Sequence, residues 1–251
     1  PGGRAARVVE RRARLGREPP GNVFGGSTAG ARNVIAGSTF NGVVVGNAST
    51  GATIQGNYIG VGADGVTVLA NGGAGVRVEL GSTGTLVGTN LDGSNDGAER
   101  NIIAGNGTSG VVIDGAATTG TLLRGNWIGL DAGGNARGNA QAGVMLSASA
   151  SNNMIGGTAA GAGNTIAYNG WDGIRLSGTG TGNAFLGNSL YGNVEQAIDI
   201  GAQGVTLNDA DDADSGGNTL QNFPRLTLAR TNGANQLTLN GTLDSTASTW
   251  F

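Results

Sequence analysis

The chain of 251 residues contains no cysteine, no histidine and no lysine. Without cysteine it can form neither a disulfide framework nor a thiolate metal site. The absence of histidine removes the commonest general base and the commonest metal ligand. All 14 cationic side chains are arginines. Any catalytic or metal-binding role would therefore depend on other side chains.

Long apolar runs and a positive charge over the body of the chain are also missing. No segment has the apolar length of a membrane span. Residues 1–20 hold six Arg and two Glu, whereas the rest holds 8 Arg against 15 acidic residues, a net charge of −7. Mildly acidic chains bind nucleic acid poorly, so we expect no such partner. Pro1 opens the chain without a signal-peptide segment, and we expect a fragment or a processed form.

The chain is rich in glycine, with 51 residues, and it contains an internal repeat. Two alternating apolar positions recur six times, at spacings of 33, 35, 33, 30 and 24 residues. The first position holds Val43, Val76, Val111, Val144, Ile174 and Ile198, and the second holds Val45, Val78, Ile113, Leu146, Leu176 and Ile200. Such alternation predicts strands with one buried face, and the recurrence predicts a solenoid.

Two more apolar columns complete the repeat. One holds Val23, Ile54, Leu86, Leu123, Ile155 and Phe185, and the other holds Ile35, Val68, Ile103, Ala136, Ile166 and Leu190. Three short strands per rung predict a parallel β-coil, and parallel crossovers are right-handed in nearly all cases. We therefore predict an all-β fold, a right-handed parallel β-helix of about six rungs, followed by the truncated start of a β-rich module.

An asparagine column marks one corner of the repeat. After Ser38 in the first rung it holds Asn71, Asn106, Asn139, Asn169 and Asn193. Asparagine tolerates the left-handed backbone angles of a tight corner. Stacked amides can also hydrogen-bond from rung to rung. We predict a structural asparagine ladder, the alternative being a turn preference alone.

The composition divides the chain into four segments. Residues 1–20 are a basic leader or an N-terminal cap, and residues 21–203 are the β-helix. Residues 204–224 are an acidic linker. Residues 225–251 contain two strand-like runs joined around Asn232-Gly233, which is typical of a hairpin turn. This last segment predicts the start of a β-hairpin or β-sandwich module.

Several motifs resemble a known family. The segments Asn-Val-Ile-Ala-Gly, Gly-Asn-Tyr-Ile-Gly and Gly-Asn-Trp-Ile-Gly, with the tail Asp-Ala-Asp-Ser-Gly-Gly-Asn-Thr-Leu-Gln-Asn-Phe-Pro, resemble the bacterial right-handed parallel β-helix repeat proteins. Some of these carry a CSLREA-type domain. The resemblance covers about residues 21–251 and implies a pectate-lyase-like fold in secreted or cell-surface proteins. It implies little about activity, and the basic leader departs from the family.

Rung length varies mainly before the column that begins at Ile35, so we expect variable loops to project from a single edge. Variable loops on a repeat scaffold are the usual place for binding. The candidate binding residues on that edge are Tyr58, Asp64, Asp92, Asp96, Trp127 and Asp131. The two rings occupy equivalent positions two rungs apart and are expected to point outward and stack on sugars. The alternative is that they cover turns.

These features predict an extracellular or cell-surface scaffold, a monomer or part of a larger chain, that binds a polysaccharide or surface glycan along the loop edge. The alternative is a polysaccharide lyase or glycoside hydrolase acting in the acidic loop groove. No catalytic motif is recognisable, so no catalytic residue is assigned and the scaffold is favoured. A second aromatic–acid group comprises Tyr168, Trp171 and Asp172.

Two charged pairs are expected on the outer face of the strands that begin at the Val43 column. Glu79 and Asp114 share one outward column, so that either one pKa is raised or a cation is recruited. Arg175 and Asp199 share the neighbouring column and are expected to form an exposed ion pair. The alternative for all four is a solvated sheet face.

An acidic run offers the one candidate metal site. Asp209, Asp211, Asp212 and Asp214 resemble the first half of a calcium loop but lack its closing glutamate. The scaffold requires no cofactor, and Ca²⁺ is the only one for which this run offers ligands. The alternative is a solvated linker.

If the acidic run binds the ion, millimolar Ca²⁺ will raise the melting temperature, because a ligand that binds the native state stabilises it. Replacing Asp211 and Asp212 with Asn should abolish that gain in a thermal melt. An unchanged melting temperature of the parent protein would identify a plain linker.

Overall fold

The computed structural model describes residues 21–210, 215–233 and 236–244. Three six-stranded parallel sheets run along the molecule, and each turn of the chain adds one short strand to every sheet. Neighbouring strands of a sheet are thus a whole turn apart in the chain, as in a β-solenoid. The predicted parallel β-helix of about six rungs is confirmed. Residues 1–20 lie outside the described part of the chain.

The strands are short and are numbered in chain order. Sheet A contains β1 (Val23–Gly25), β4 (Thr53–Gln55), β7 (Leu86–Gly88), β10 (Leu122–Arg124), β13 (Met154–Gly156) and β16 (Ala184–Leu186). Sheet B contains β2 (Val34–Ile35), β5 (Tyr58–Ile59), β8 (Ile102–Ile103), β11 (Trp127–Ile128), β14 (Thr165–Ala167) and β17 (Ser189–Tyr191). Sheet C contains β3 (Val43–Val45), β6 (Val76–Val78), β9 (Val111–Asp114), β12 (Val144–Ser147), β15 (Ile174–Leu176) and β18 (Ile198–Ile200).

The remaining elements lie outside the three sheets. They are 3₁₀ turns at Ala29–Ala31 and Gly217–Leu220 and an antiparallel pair, β19 (Arg225–Thr231) and β20 (Leu237–Thr242). That pair comprises the two strand-like runs expected around Asn232-Gly233.

Sheet C has the register that its alternating apolar pattern predicts. Val111 pairs with Val76 on one side and with Val144 on the other. The inward side chains of all three sheets form one apolar core that runs along the solenoid. A single rung cannot bury its inner face alone, so each rung depends on its neighbours.

The column predicted for sheet B is wrong in two rungs. The prediction assigned Val68 and Ala136, whereas the strands contain Ile59 and Ile128 at these levels. Each displaced residue lies in a short hairpin just after the strand and bridges antiparallel to an apolar residue before it. The hairpin residues imitate the column because they are apolar and each lies about one rung length from the column residues before and after it.

The column predicted for sheet A is displaced by one residue in the first and third rungs. Phe24 and Val87 align with Ile54 and pack into the core, whereas Val23 and Leu86 lie on the outer side. In these two rungs the glycine comes directly after the inward residue, whereas in the others it comes two residues later. A position counted two residues before the glycine is therefore one residue too early in these two rungs.

The loops leave from two corners in alternate rungs, not from a single edge. In the first, third and fifth rungs a loop of residues 26–33, 89–101 or 157–164 joins sheet A to sheet B. In the second and fourth rungs sheet A leads almost directly into sheet B, and a hairpin follows the sheet B strand. Over the first five rungs the surface therefore alternates between two forms, although the core repeats every rung.

Asparagine ladders connect the rungs at the corners. The Nδ2 of Asn139 donates to the Oδ1 of Asn169 at 2.9 Å, and Asn106 donates to the Oδ1 of Asn139 at 2.8 Å. The same contact links Asn71, Asn106, Asn139, Asn169 and Asn193. Sequence reasoning missed a second ladder of Asn33, Asn57, Asn101, Asn126, Asn164 and Asn188, and a shorter third of Asn153, Asn183 and Asn218.

The segment after β18 folds back on the last rung. The Thr206 hydroxyl donates to the Ile200 carbonyl at 2.9 Å. The Oδ1 of Asn218 accepts the N–H of Asn183 at 3.1 Å. At one corner, therefore, this segment supplies the asparagine that a seventh rung would supply.

Val111→Asp should lower the free energy of unfolding by about 4–5 kcal/mol, because it buries an unpaired carboxylate between apolar rungs. Urea unfolding measures the loss. Val44→Asp is the matched control on the outer face of the same sheet, where Val44 is 45% exposed, and it should cost less than about 1 kcal/mol. Equal losses in the two variants would contradict the register of sheet C.

Candidate functional site

The outer face of sheet B carries the two rings predicted to stack on sugars. Tyr58 and Trp127 pair with Ile102 from opposite sides, so they lie two rungs apart. The guanidinium of Arg32 stacks 4.2 Å from the centre of the Tyr58 ring, and that of Arg100 stacks 4.6 Å from the centre of the Trp127 ring. Each arginine comes from the loop of the preceding rung, so the pairs repeat with the two-rung period.

Both rings are also packed against apolar side chains. They contact a small cluster of Val61, Ile102 and Ala104, which is separate from the main core. Above it, the two hairpins meet through a hydrogen bond of 2.9 Å from the Ala132 N–H to the Gly65 carbonyl. Tyr58 and Trp127 are half-buried, and one face of each ring is covered by arginine. Their contacts are those of side chains that hold hairpins and loops on the sheet.

Asp64 organises the hairpin that follows β5. Its Oδ1 accepts the N–H groups of Val66 and Thr67, both at 2.9 Å, and its Oδ2 accepts the Thr67 hydroxyl at 2.6 Å. These hydrogen bonds, that from the Thr67 hydroxyl first, lower the pKa of Asp64 to about 2. The carboxylate is exposed, but its local bonds serve the turn.

Asp131 has the equivalent role in the hairpin that follows β11, and it is fully buried. Its Oδ1 accepts the N–H groups of Gly133 and Asn135, both at 2.9 Å, and the Arg137 guanidinium lies 3.8 Å from Oδ2. Burial alone would raise the pKa of Asp131, but the hydrogen bonds from Asn135 and Gly133 and the charge of Arg137 outweigh it and hold the pKa below its ordinary value. The partners of the buried Asp131 carboxylate thus all lie in its own hairpin.

Asp92 and Asp96 lie at the other corner, in the loop between β7 and β8. Asp92 is exposed and accepts the Ser94 N–H at 2.8 Å and the Asn90 side-chain amide at 3.0 Å. Asp96 is half-buried. The six predicted binding residues are thus divided between two corners and a sheet face, because the loops alternate.

An arginine side chain contacts both members of the first acidic pair on sheet C. Glu79 and Asp114 share an outward column, as expected, and Arg77 from the neighbouring column contacts both. The Arg77 Nη2 lies 2.9 Å from the Asp114 Oδ2, and the Ser147 hydroxyl donates to the Asp114 Oδ1. The cation that this pair was expected to recruit is a side chain of the protein itself.

The second pair is buried, which corrects the expectation of an exposed ion pair. Arg175 contacts Asp199 on the last rung and Asp172 at 3.2 Å, and both carboxylates are buried. The segment that folds back after β18 covers this part of sheet C, and its Gly204 N–H lies 3.4 Å from the Asp199 Oδ2. Burial raises the pKa of Asp199, and the charge of Arg175 offsets part of that effect.

Three exposed rings lie on the fifth and sixth rungs. Tyr168, Trp171 and Tyr191 are 41%, 37% and 44% exposed. The rings of Tyr168 and Tyr191 meet edge to face with their centres 5.5 Å apart. Trp171 is joined to the last rung by the Glu195 N–H, which donates to its carbonyl at 3.2 Å. We call these three residues the aromatic corner.

Sequence reasoning identified Tyr168 and Trp171 but missed Tyr191. The signal was present, because Tyr191 lies two residues before Asn193, and Tyr168 lies one residue before Asn169 on the adjacent level of the same ladder. Tyr168 also has a left-handed φ of 61°, which is uncommon for a residue other than glycine. Because the two tyrosines are offset by one residue relative to their asparagines, aligning the repeats does not place them in the same column.

The predicted calcium run is described only in part. Asp209 is exposed, and its backbone N–H and carbonyl bond to the side chain of Asn222. Asp211, Asp212 and Asp214 lie outside the described residues, so calcium binding stays a prediction. Within residues 21–210, 215–233 and 236–244, no group of three or more acidic side chains could hold a metal ion.

Residues 27–223 match the model of a protein family described as periplasmic copper-binding protein NosD. The match covers nearly the whole β-helix and more than half of the chain. This chain belongs to the NosD family. No curated protein and no solved structure matches it.

The periplasmic description of the NosD family confirms the predicted placement outside the cytoplasm. In the part of this NosD-family chain that the structure describes, no helix combines the length and apolarity needed to cross a membrane.

Asp131→Asn should destabilise the protein by about 1–2 kcal/mol near neutral pH, because it removes a buried charge that accepts hydrogen bonds. The folded-state pKa of Asp131 is depressed, so its contribution is present above the unfolded-state pKa of about 4 and is lost as the pH falls through the folded-state value. Thermal melts of parent and variant between neutral and strongly acidic pH should therefore converge. Asp92→Asn, at an exposed carboxylate, is the control, and a pH-independent gap for Asp131→Asn would contradict the argument.

Proposed function

We propose that this NosD-family chain is a periplasmic scaffold without catalytic activity that binds a polysaccharide at its aromatic corner. The observation that carries the proposal is the exposure of Tyr168, Trp171 and Tyr191 on two consecutive rungs. Aromatic faces stack on the apolar faces of sugar rings, and their polar tips accept and donate hydrogen bonds. A rigid solenoid holds such rings at fixed spacing, which suits a ligand that itself repeats.

The surroundings of the aromatic corner support a sugar ligand better than an apolar one. The backbone N–H of Trp171 donates to the backbone carbonyl of Gln141 at 3.2 Å, which places Gln141 next to Trp171 on the preceding rung. On the other side the exposed carboxylate of Glu195 accepts the amide of Gln203 at 3.1 Å. Polar side chains at the edge of exposed rings can bond to sugar hydroxyls.

The loop edge predicted from the sequence is the weaker platform for the same ligand. The rings of Tyr58 and Trp127 each have one face covered by arginine, and a sugar that stacked there would first displace that cation. Binding by Tyr58, Asp64, Asp92, Asp96, Trp127 and Asp131 stays a prediction. The pectate-lyase-like kinship, the CSLREA-type domain and a cell-surface location stay predictions as well.

A lyase or hydrolase finds no support in the arrangement of charges. Arg77 contacts both Glu79 and Asp114, and Arg175 contacts both Asp172 and Asp199. Glycoside hydrolysis needs two carboxyl groups that face one substrate bond from opposite sides. These carboxylates face arginines instead.

The description of the NosD family as copper-binding raises the question whether this chain can hold that metal. Protein sites for copper are built mainly from imidazole, thiolate and thioether groups. The chain has neither histidine nor cysteine, and its two methionines, Met145 and Met154, lie on sheets C and A respectively. The residues present do not fit a copper site, and no step of the proposed function involves copper.

Trp171→Ala should weaken retention of the protein on immobilised polysaccharide about two- to tenfold, because a stacked ring contributes on the order of 0.5–1.5 kcal/mol. Affinity electrophoresis in gels that contain neutral or acidic polysaccharides measures the retention. The melting temperature of the Trp171→Ala variant should change little, since the ring is exposed.

Trp127→Ala is the matched control. It should keep retention but lower the stability by about 2 kcal/mol, because its ring packs on the outer cluster. Loss of retention in Trp127→Ala and not in Trp171→Ala would move the site to the loop edge. The absence of retention on every polysaccharide would contradict the function, and release of reducing or unsaturated ends would favour the enzyme.

A further inference from the structure

A row of backbone hydrogen bonds runs through all six rungs at the corner between sheets B and C. In this row the N–H of each residue donates to the carbonyl of its equivalent on the preceding rung, at distances between 2.8 and 3.2 Å. The residues are Phe40, Gly73, Thr108, Gln141, Trp171 and Glu195. Their spacings of 33, 35, 33, 30 and 24 residues equal those of the inward columns, so they occupy one position on successive rungs. We call this row the corner track.

The corner track has an exposed aromatic ring near each end. Phe40 is 62% exposed on the first rung, and Trp171 is 37% exposed on the fifth. Four rung steps of about 4.8 Å separate the two residues, so they lie about 19 Å apart along the solenoid axis. Trp171 also belongs to the aromatic corner, and the corner track therefore extends that surface to the opposite end of the solenoid.

Polar side chains occupy the levels between the two rings. Thr108 and Gln141 are half-buried, so their side chains are partly accessible to solvent. A hydroxyl and an amide can each donate to and accept from the hydroxyl groups of a sugar. A ligand that stacks on Phe40 and Trp171 and also bonds to these groups must be extended and must run parallel to the solenoid axis.

The corner track is uncharged over its first five rungs. The residues that directly precede it on those rungs are uncharged as well, namely Thr39, Gly72, Gly107, Ala140 and Gly170. The guanidinium of Arg137, at the same corner, is directed to the Asp131 carboxylate and the Val66 carbonyl. On the sixth rung the row ends in an acid, the exposed Glu195. The row thus offers an acidic polysaccharide no cationic partner, and an uncharged chain loses nothing by that.

We propose that the corner track binds an extended, uncharged polysaccharide that lies parallel to the solenoid axis and stacks on both Phe40 and Trp171. The inference rests on the proposed function and deepens it, because it specifies the class of ligand and adds Phe40 to the binding surface. A short sugar can occupy only one of the two rings, so the affinity should rise with chain length until both rings are spanned.

Affinity electrophoresis of the whole chain tests the proposal in gels that contain hydroxyethyl cellulose, glucomannan or dextran, with polygalacturonate and alginate as acidic counterparts. At least one uncharged polymer should retard the parent, and the acidic polymers should not. Phe40→Ala should weaken the retention about two- to tenfold, as expected for one stacked ring. The double variant Phe40→Ala/Trp171→Ala should show the product of the two single effects, since distant sites act independently.

Leu80→Ala is the matched control. It removes an apolar side chain that is 63% exposed, nearly as much as Phe40, from the turn after β6 at a different corner. Its retention should equal that of the parent. The melting temperatures of Phe40→Ala and Leu80→Ala should both stay close to the parent value, because both side chains are exposed.

Chain length provides a second readout. Oligosaccharides from partial hydrolysis of the retained polymer, sorted by size, are titrated calorimetrically into the parent and into Phe40→Ala. The affinity of the parent should keep rising up to chains that span about 19 Å, whereas that of Phe40→Ala should reach its plateau with shorter chains.

The outcomes separate the corner track from the proposed function. Loss of retention in Trp171→Ala but not in Phe40→Ala, equal losses in Phe40→Ala and Leu80→Ala, or the same length dependence in the parent and Phe40→Ala would overturn the track and leave the aromatic corner intact. Retention by acidic polymers alone would overturn the assignment of an uncharged ligand. Retention by no polymer would overturn the function and the track together.

Discussion

Hydrogen bonding between one rung and the next, parallel to the solenoid axis, is the interaction on which this structure depends. Each strand of the solenoid has only two to four residues, so no rung has enough backbone bonds or apolar area to be stable alone. The asparagine side chains continue the same bonding around the corners, where the backbone turns away from its neighbours. Two ladders thus bond successive rungs along the solenoid, and a shorter third bonds its last rungs, at positions where a glycine would leave N–H groups unpaired.

This constraint leaves the outer surface free to vary. The inward side chains must match those of the rungs above and below, but a loop at a corner need only return the chain to register. The chain uses this freedom with a period of two rungs, in which Arg32 and Arg100 from one rung cover Tyr58 and Trp127 on the next. On the fifth and sixth rungs, by contrast, the three rings of the aromatic corner are exposed.

Neither the fold nor the family description by itself identifies the function of this chain. A parallel β-helix is a scaffold, and its chemistry depends on the side chains that its corners and outer faces present. This chain belongs to the NosD family, yet it lacks the imidazole and thiolate groups that usually hold copper. The charges on the outer face of sheet C form arginine–carboxylate contacts, and the rings of Tyr168, Trp171 and Tyr191 are exposed.

The sequence by itself determined the fold class, the number of rungs and the register of sheet C, because an inward apolar pair must recur wherever rungs stack. It did not determine that Val68 and Ala136 lie in hairpins and not in sheet B. Both are apolar residues in extended chain, as the strand residues are, so the sequence pattern does not distinguish the two. Only the tertiary structure decided that the loops alternate between two corners and that Tyr58 and Trp127 are covered. It also decided that Tyr191 meets Tyr168, and that a returning segment buries Asp199. These are contacts between residues far apart in the chain, and their geometry depends on how each turn closes, which residue spacing does not specify.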